Sequence, residues 1–460
     1  MSNRFNQSII IISLSVLSLS ACSLIPEYTR PAPPLPEKYS LAAEGKALST
    51  LSDWHEYFID VDLQSLIEQA LRNNRDLRVA VLRIEEARSV YGIQKADRLP
   101  TINGTLSFEK GQSVIAQGQK AESELYRAGL GISDFELDFF GRVKSLSSAA
   151  LEEFLSTEEA QHNVKISLIA EIANAYVNVL ALNERKQLAL ETLSSRRESF
   201  NRTKRRFDAG LDSALEFKTA QMQVDTSLVS LSTLEREYEQ AYNGLKLLIG
   251  DQTKEISLVK NIGSVDISSA NAGMPSDLLQ MRPDIRASEH KLLAANANIG
   301  AARAAFFPRI QLTTSVGLVN KDLLNLFSRS SENAWSFNPQ LILPIFNNGR
   351  NQASLDLAKV RKEVAIAEYE KTIQVAFREV ADVLVVKGRI ENEVILQTRI
   401  AESEHERLRL VTRRYDLGVA NYLELMDAQR NVYEVDQQLV QLKQLKLINK
   451  ISLYKTLGGT

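Results

Sequence analysis

Apolar positions recur at steps of three and four over most of this chain and change to strict alternation in four short stretches. Leu168, Ile172, Ala175, Val179 and Leu182 form one heptad seam, and Leu425, Ala428, Val432, Val435, Leu439 and Leu442 form another. Phe217, Ala220, Val224, Ser227, Leu231 and Leu234 hold the register of the second. Between Gly141-Arg142 and the turn Asp208-Ala209-Gly210 there is no breaker, and between Gly349-Arg350 and Asp416-Leu417-Gly418 only Gly388 interrupts. An unbroken helix from Arg142 to Phe207 is about 100 Å long at ~1.5 Å per residue. The pattern therefore predicts two long antiparallel helical hairpins, about 142–248 and 350–457, each with a glycine-containing tip far from the strands. The alternating stretches interleave Ile102, Gly104, Leu106 and Phe108 with Asn103, Thr105, Ser107 and Glu109, and Ile310, Leu312, Thr314 and Val316 repeat that phase. Tyr126, Ala128, Leu130 and Ile132, and later Trp335, Phe337, Leu341 and Leu343, form a second strand in each half. Strands with one apolar face are expected at about 101–112, 124–138, 309–320 and 333–345.

The same order of elements occurs twice. Placing residue n over residue n+208 superposes Asp76-Leu77-Arg78 on Asp284-Ile285-Arg286, Leu99-Pro100 on Phe307-Pro308 and Gly141-Arg142 on Gly349-Arg350. The register persists through Arg205-Arg206-Phe207 over Arg413-Arg414-Tyr415 and Ala220-Gln221 over Ala428-Gln429. One offset for so many pairs means a tandem duplication. The repeats are assigned to 54–250 and 276–460, with a polar linker or equatorial segment at 251–275. In the second strand of each half this offset puts the apolar residues out of phase, so the hairpin loops are expected to differ in length.

Composition narrows the class. The 460 residues carry 55 Lys and Arg against 57 Asp and Glu, which argues against nucleic acid as a partner. Five of the 11 prolines fall at Pro26, Pro31, Pro33, Pro34 and Pro36, and 101–274 and 345–460 have none, which excludes a loop-rich α/β enzyme. Ile9 to Leu19 form an apolar core too short to cross a bilayer, so 1–21 read as a signal peptide. Leu19-Ser20-Ala21-Cys22 resembles the bacterial lipobox, and Cys22 is the one cysteine of the chain. Cys22 is thus expected to carry a covalent lipid, with Ser23 after it pointing by resemblance to the outer membrane and 22–53 forming an extended tether. No catalytic residue, metal site or other cofactor is expected. His55, His162, His290 and His405 are scattered, and Gly129-Leu130-Gly131 lies in a strand rather than at a phosphate-binding turn.

Four strands are too few to close a membrane barrel, and open strand edges cannot sit in a bilayer. Strands that enter the membrane must therefore be completed by further chains, with the charged helices projecting into the periplasm as a tube. On this facing Leu106→Arg should harm membrane assembly more than a change at Ser107. The alternative is a small soluble sheet on a coiled-coil spacer, a structural envelope lipoprotein without a pore.

Trp54-x-x-x-Phe58-x-Asp60-x-x-Leu63-x-x-Leu66-x-x-x-Ala70-Leu71-x-Asn73-Asn74-x-Asp76-Leu77 resembles the start of bacterial outer-membrane efflux proteins of the TolC and OprM type, lipoprotein branch. Arg282-Pro283-Asp284-Ile285-Arg286, the two Gly-Arg pairs and the paired tip turns carry the resemblance onward. It implies a mixed α+β membrane protein, in which a homotrimer shares a twelve-stranded transmembrane β-barrel mounted on a periplasmic α-barrel. The implied function is a conduit for drugs or other small molecules. The implied partners are a periplasmic adaptor, an inner-membrane transporter of the RND type and outer-membrane lipid. The resemblance places a periplasmic gate at Asp208, Asp212, Asp416 and Leu417, and adaptor docking at Gly210, Leu211, Gly418 and Val419. Ala420 stands where the first repeat has Asp212. The arginines and lysine at 202, 204–206, 407, 409, 413 and 414 suit helix ends facing solvent, and some could pair with tip carboxylates.

Overall fold

The computed structural model describes residues 23–34, 36, 53–114, 120–253, 255–256, 261–268 and 281–459. The signal peptide, Cys22, residues 37–52 of the tether and about half of the linker lie outside the described residues. The helices are α1 (Trp54–Tyr57), α2 (Val61–Asn73), α3 (Arg75–Ala96), α4 (Arg142–Asp208), α5 (Ala214–Ile249), α6 (Pro283–Ala304), α7 (Arg350–Asp416) and α8 (Tyr422–Thr456). The strands are β1 (Ile102–Val114), β2 (Lys120–Leu137), β3 (Arg309–Asn320) and β4 (Glu332–Ile342). β2 thus starts four residues earlier than expected and β4 ends three residues earlier, at Ile342. α4 and α7 each run 67 residues, and α3 and α6 correspond at the same offset of 208.

Two structural units cut across the two repeats. One contains the stretch ending at Ala32 together with Arg83–Glu158 and Ala287–Glu370; the other contains Pro33–Leu82, Glu159–Arg286 and Lys371–Thr460.

The first unit holds one antiparallel sheet in the order β1-β2-β3-β4, in which strands of both repeats pair through β2 and β3. Register gathers most of the large apolar residues on one face. Ile102 lies opposite Ile132, Gly104 opposite Leu130, Leu130 opposite Val316, and Val316 opposite Trp335. Leu106, Leu130, Val316, Trp335 and Phe337 are all exposed on that face. The other face aligns Asn103, Gly131, Ser315 and Ser336 in one row and Thr105, Gly129, Gly317 and Ala334 in the next. The second hairpin is shifted by one residue relative to the first, since Ile102 faces Ile132 but its repeat equivalent Ile310 faces Leu341 rather than Gln340. That shift restores the apolar phase of β4. β2 also carries a bulge between Ile132 and Phe135, with Asp134 at φ 54°.

Glycine on the polar face has a steric cause. A Cβ on Gly129 would come within 2.5 Å of the Val316 carbonyl oxygen, and one on Gly317 would overlap that of Ala128. The neighbouring backbone leans over this face, which also contains a hollow of about 130 Å³ beside Thr105, Gly129, Ser315 and Gly317. Glycine at these positions lets the neighbouring strand approach closely on the polar side.

The segment after Ser23 is not a free tether in its first part. Arg303 donates to the Leu24 carbonyl at 3.3 Å, Asn296 to that of Pro26 at 2.8 Å, and Arg30 grips both oxygens of Glu289 at 2.6 and 2.5 Å. Ile25 packs on Ala149, Ala294 and Ala297. A Cβ on Gly300 would sit 2.6 Å from Ile25 Cγ1 and 2.7 Å from Ser145 Oγ, so a glycine is needed where the strap crosses α6. Gly300→Val is expected to lift the strap. Chymotrypsin should then cut after Tyr28 many-fold faster than in the wild type, and equal protection would contradict this seating.

In the second unit α2 buries Leu63, Leu66, Ile67 and Ala70, one face of a helix capped by the Asp60 side chain. Tyr57 donates to the Lys450 carbonyl at 2.7 Å, and Asn74 to that of Leu248 at 2.9 Å, tying the start of the unit to α8 and α5. Arg282 is buried among Asp284 at 2.6 Å, Glu379 at 2.9 Å and the Thr456 carbonyl at 3.2 Å. α4 contains a stretch apolar and long enough to cross a membrane, but 61% of that window is buried inside the protein, where Leu168, Ile172, Tyr176, Val179 and Leu180 form the core. On α8 the seam follows Leu425, Ala428 and Val432 as the heptads predict. It then turns to Gln437 and Val440 instead of Val435 and Leu439, because Gln437 exchanges hydrogen bonds with Arg185 of α4 at 2.7 and 3.0 Å.

Candidate gate at the helical tips

Both tips lie in the second unit and are built alike. α4 ends in a turn where Gly210, at φ 75°, donates to the Phe207 carbonyl at 2.9 Å and Leu211 donates to that of Arg206 at 2.8 Å. α7 repeats this at Gly418, φ 73°, with Gly418 to Tyr415 at 3.0 Å and Val419 to Arg414 at 2.9 Å. These paired bonds satisfy the last helical carbonyls, and the left-handed residue makes glycine the fitting choice. The returning helices then start on side-chain caps, a Ser213–Glu216 capping box for α5 and Asn421 accepting from the Glu424 amide for α8.

The turns force apolar side chains outward. Leu211 and Leu417 are each 71% exposed and Val419 67%. Leu215 and Leu423 at the starts of α5 and α8 are exposed as well. Sequence reasoning missed these two, although each lies one turn beyond a flagged residue. Five exposed aliphatic side chains on two adjoining turns are more than solvent exposure alone favours.

Each candidate acid is paired. Asp208 accepts from Lys204 at 2.9 Å one helical turn back. Asp212 is bound by Arg206 at 2.9 and 3.0 Å, its side chain only 9% exposed, and its carboxylate raises the Arg206 pKa. Asp416 accepts from Arg202 at 2.7 Å. This last pair joins α7 of the second repeat to α4 of the first, whereas the Asp208 and Asp212 pairs stay within their own hairpin. Arg414 reaches Glu424 at 3.2 Å, and Arg407 reaches Asp427 at 3.2 Å. Behind the tip, burial pushes the Tyr422 hydroxyl up to about 12. Gly210 and Gly418 have open space where a Cβ would stand, so φ rather than crowding selects them.

The four histidines do not converge. His55 pairs with Asp53 at 2.8 Å, His162 with Glu159 at 3.6 Å, His290 with Glu152 at 2.7 Å and His405 with Asp436 at 3.0 Å. Among the described residues no group of three or more His, Cys, Asp or Glu side chains could hold a metal ion.

A duplicated chain of two very long hairpins and a four-stranded, apolar-faced sheet matches known proteins throughout. The profile of the outer membrane efflux protein family matches residues 66–251 and 274–459, and the chain belongs to that family. It is 39% identical over 463 residues to the toluene efflux pump outer membrane protein TtgC of Pseudomonas putida, covering 98% of this chain and 96% of the relative. It is 39% identical over 451 residues to the cation efflux system protein CusC of Escherichia coli K12, covering 96% and 97%. Its fold superposes on the crystal structure of the open state of the Neisseria gonorrhoeae MtrE outer membrane channel with a TM-score of 0.86 at 35% identity, covering 95% and 98% of the two chains. The protein is an outer-membrane efflux channel, a component of an efflux pump, and its family is one of channels rather than enzymes.

Proposed function

We propose that three copies of this chain form one conduit that takes drugs or other small molecules from an inner-membrane transporter of the RND type through a periplasmic adaptor to the exterior. The sheet carries this reading: its apolar face is exposed, its opposite face is mostly polar or glycine, and β1 and β4 are open edges. Four strands from each of three chains pair those edges and leave none in the lipid. A lipid on Cys22 adds a second hold on the outer membrane. A structural lipoprotein without a pore has no use for such a sheet.

At the tips, Arg202–Asp416 holds the two hairpins of a chain together in the closed conformation, and Asp208, Asp212 and Leu417 line the same constriction. The adaptor docks on the turns at Gly210, Leu211, Gly418 and Val419, where exposed aliphatic side chains stand beside backbone without Cβ atoms. The relatives' names span toluene and cations, so substrate choice belongs chiefly to the transporter.

Ion conductance of the purified protein in a planar bilayer, with loss of drug tolerance on deletion, tests the conduit. A folded protein that never conducts would overturn it. For docking, a cysteine at Leu211 or Val419 is expected to crosslink to the adaptor in cells with an active pump, and absence of a crosslink there would sink the placement.

A further inference from the structure

The buried face of α4 changes character before it reaches the tip. Leu182, Ala189 and Leu193 pack with Leu231 and Leu234 of α5 in an apolar cluster. The next buried positions on the same seam are Arg196, Ser199 and Thr203, so a cation occupies a place where a heptad calls for an apolar side chain. Arg196 is 8% exposed. Its guanidinium donates to the Gln223 carbonyl at 3.3 Å and to Ser227 Oγ at 2.9 Å, both on α5 and both neutral. Among the described residues no carboxylate pairs with it, and burial lowers its pKa from the ordinary arginine value. Two turns on, Thr203 Oγ1 and Arg202 Nε are buried without a hydrogen-bond partner.

A cavity of about 160 Å³ lies against this stretch between α4, α7 and α8, with Arg196, Ser195, Gln429 and Leu408 in its wall. His405 and Asp436 also line it, but they are bonded to each other at 3.0 Å. Across it α4 and α8 are joined by the Gln429 amide, which donates to Ser195 Oγ at 3.1 Å and Ser199 Oγ at 3.2 Å. Such neutral bonds exchange readily for water and add little net stability. A buried cation without a counter-ion, in contrast, regains its hydration only when the helices part.

We propose that Arg196 is a gating determinant: seated without a counter-ion in the seam beside the tip, it sets how readily α4 and α8 separate. Arg202–Asp416 then acts as the latch at the tip and Arg196 as the opposing bias behind it, so the paired conformation is held by a narrow margin. Opening would begin in this polar stretch, while the apolar cluster behind it stays packed.

The inference rests on the channel reading above, and one experiment separates the two. The full-length protein is reconstituted in planar bilayers as wild type, Arg196→Met, Arg196→Lys and Ser227→Asp. Arg196→Met removes the charge at similar volume and is expected to lower the open fraction at least tenfold and to raise the thermal midpoint. Arg196→Lys keeps the charge and should stay within about twofold of wild type. Ser227→Asp leaves Arg196 in place but supplies the missing counter-ion, so it should lower the open fraction as Arg196→Met does; it also covers the case in which the Met variant fails to assemble. If the wild type conducts and Ser227→Asp matches or exceeds its open fraction, the role of Arg196 is refuted and the channel reading stands. If the wild type never conducts, both fall together.

Discussion

Leu106→Arg is expected to strip most of this protein from the outer membrane, whereas Thr105→Arg one residue away leaves it there. Leu106 lies on the apolar face opposite Ala128, and Thr105 lies on the polar face opposite Gly129. An arginine on the lipid side of a barrel costs about 2–4 kcal/mol near the bilayer midplane, a large share of a typical folding free energy. An arginine at Thr105 extends over glycines into water and meets no such cost. Thr105 is a cleaner control than Ser107, because Ser107 pairs with Arg127 and a second cation there adds cross-strand repulsion. Outer-membrane abundance and heat-modifiable migration on gels read the difference. Equal loss or equal tolerance at both positions would contradict the facing of the two sides of the sheet.

Breaking the pair at the tip is expected to open the channel. Arg202 and Asp416 are partly exposed, so each pair contributes roughly 0.3–1 kcal/mol. In the proposed three-chain conduit, chains opening together would lose about 1–3 kcal/mol of closing free energy, a shift of about 5- to 150-fold in the opening equilibrium. Asp416→Ala should therefore raise the open fraction in a planar bilayer by that order. High salt should raise it in the wild type and add little in the variant, because screening removes what the substitution has already removed. The exchanged pair Arg202→Asp with Asp416→Arg should close the channel again. If the double variant conducts as freely as Asp416→Ala, the contact is incidental. Lys204→Ala is a useful comparison, since Asp208 is paired within α4 and its loss separates nothing.

The elements were legible because their signals are long and repeated. Two long runs, one free of breakers and one interrupted only by Gly388, gave two 67-residue helices, and the alternation in β1 and β3 gave the apolar face without any knowledge of pairing. The one-residue shift of the second hairpin was visible as a phase conflict at Trp335 and Phe337, but its resolution required the register itself. The docking of residues 24–30 was not legible. Its partners Glu289, Asn296 and Gly300 lie more than 250 positions away, and five prolines suggest extended chain whether it is free or bound. The resemblance set the candidate gate residues at two turns that the structure builds alike, yet nothing in the sequence says that Asp416 meets Arg202 of the other repeat rather than a neighbour on its own helix. Arg196 went unnoticed because arginine is common on long helices; only its burial sets it apart.

The strap also has a consequence in time. A chain exported amino end first releases Ile25, Tyr28 and Arg30 long before Glu289, Asn296 and Gly300 exist to receive them, a separation of 259 residues for Arg30 and Glu289. During that interval the amino end has no seat, and no partial product lacking α6 can provide one. Strap closure therefore marks a chain whose second repeat has arrived, and it orders events so that the amino-terminal segment locks in place late.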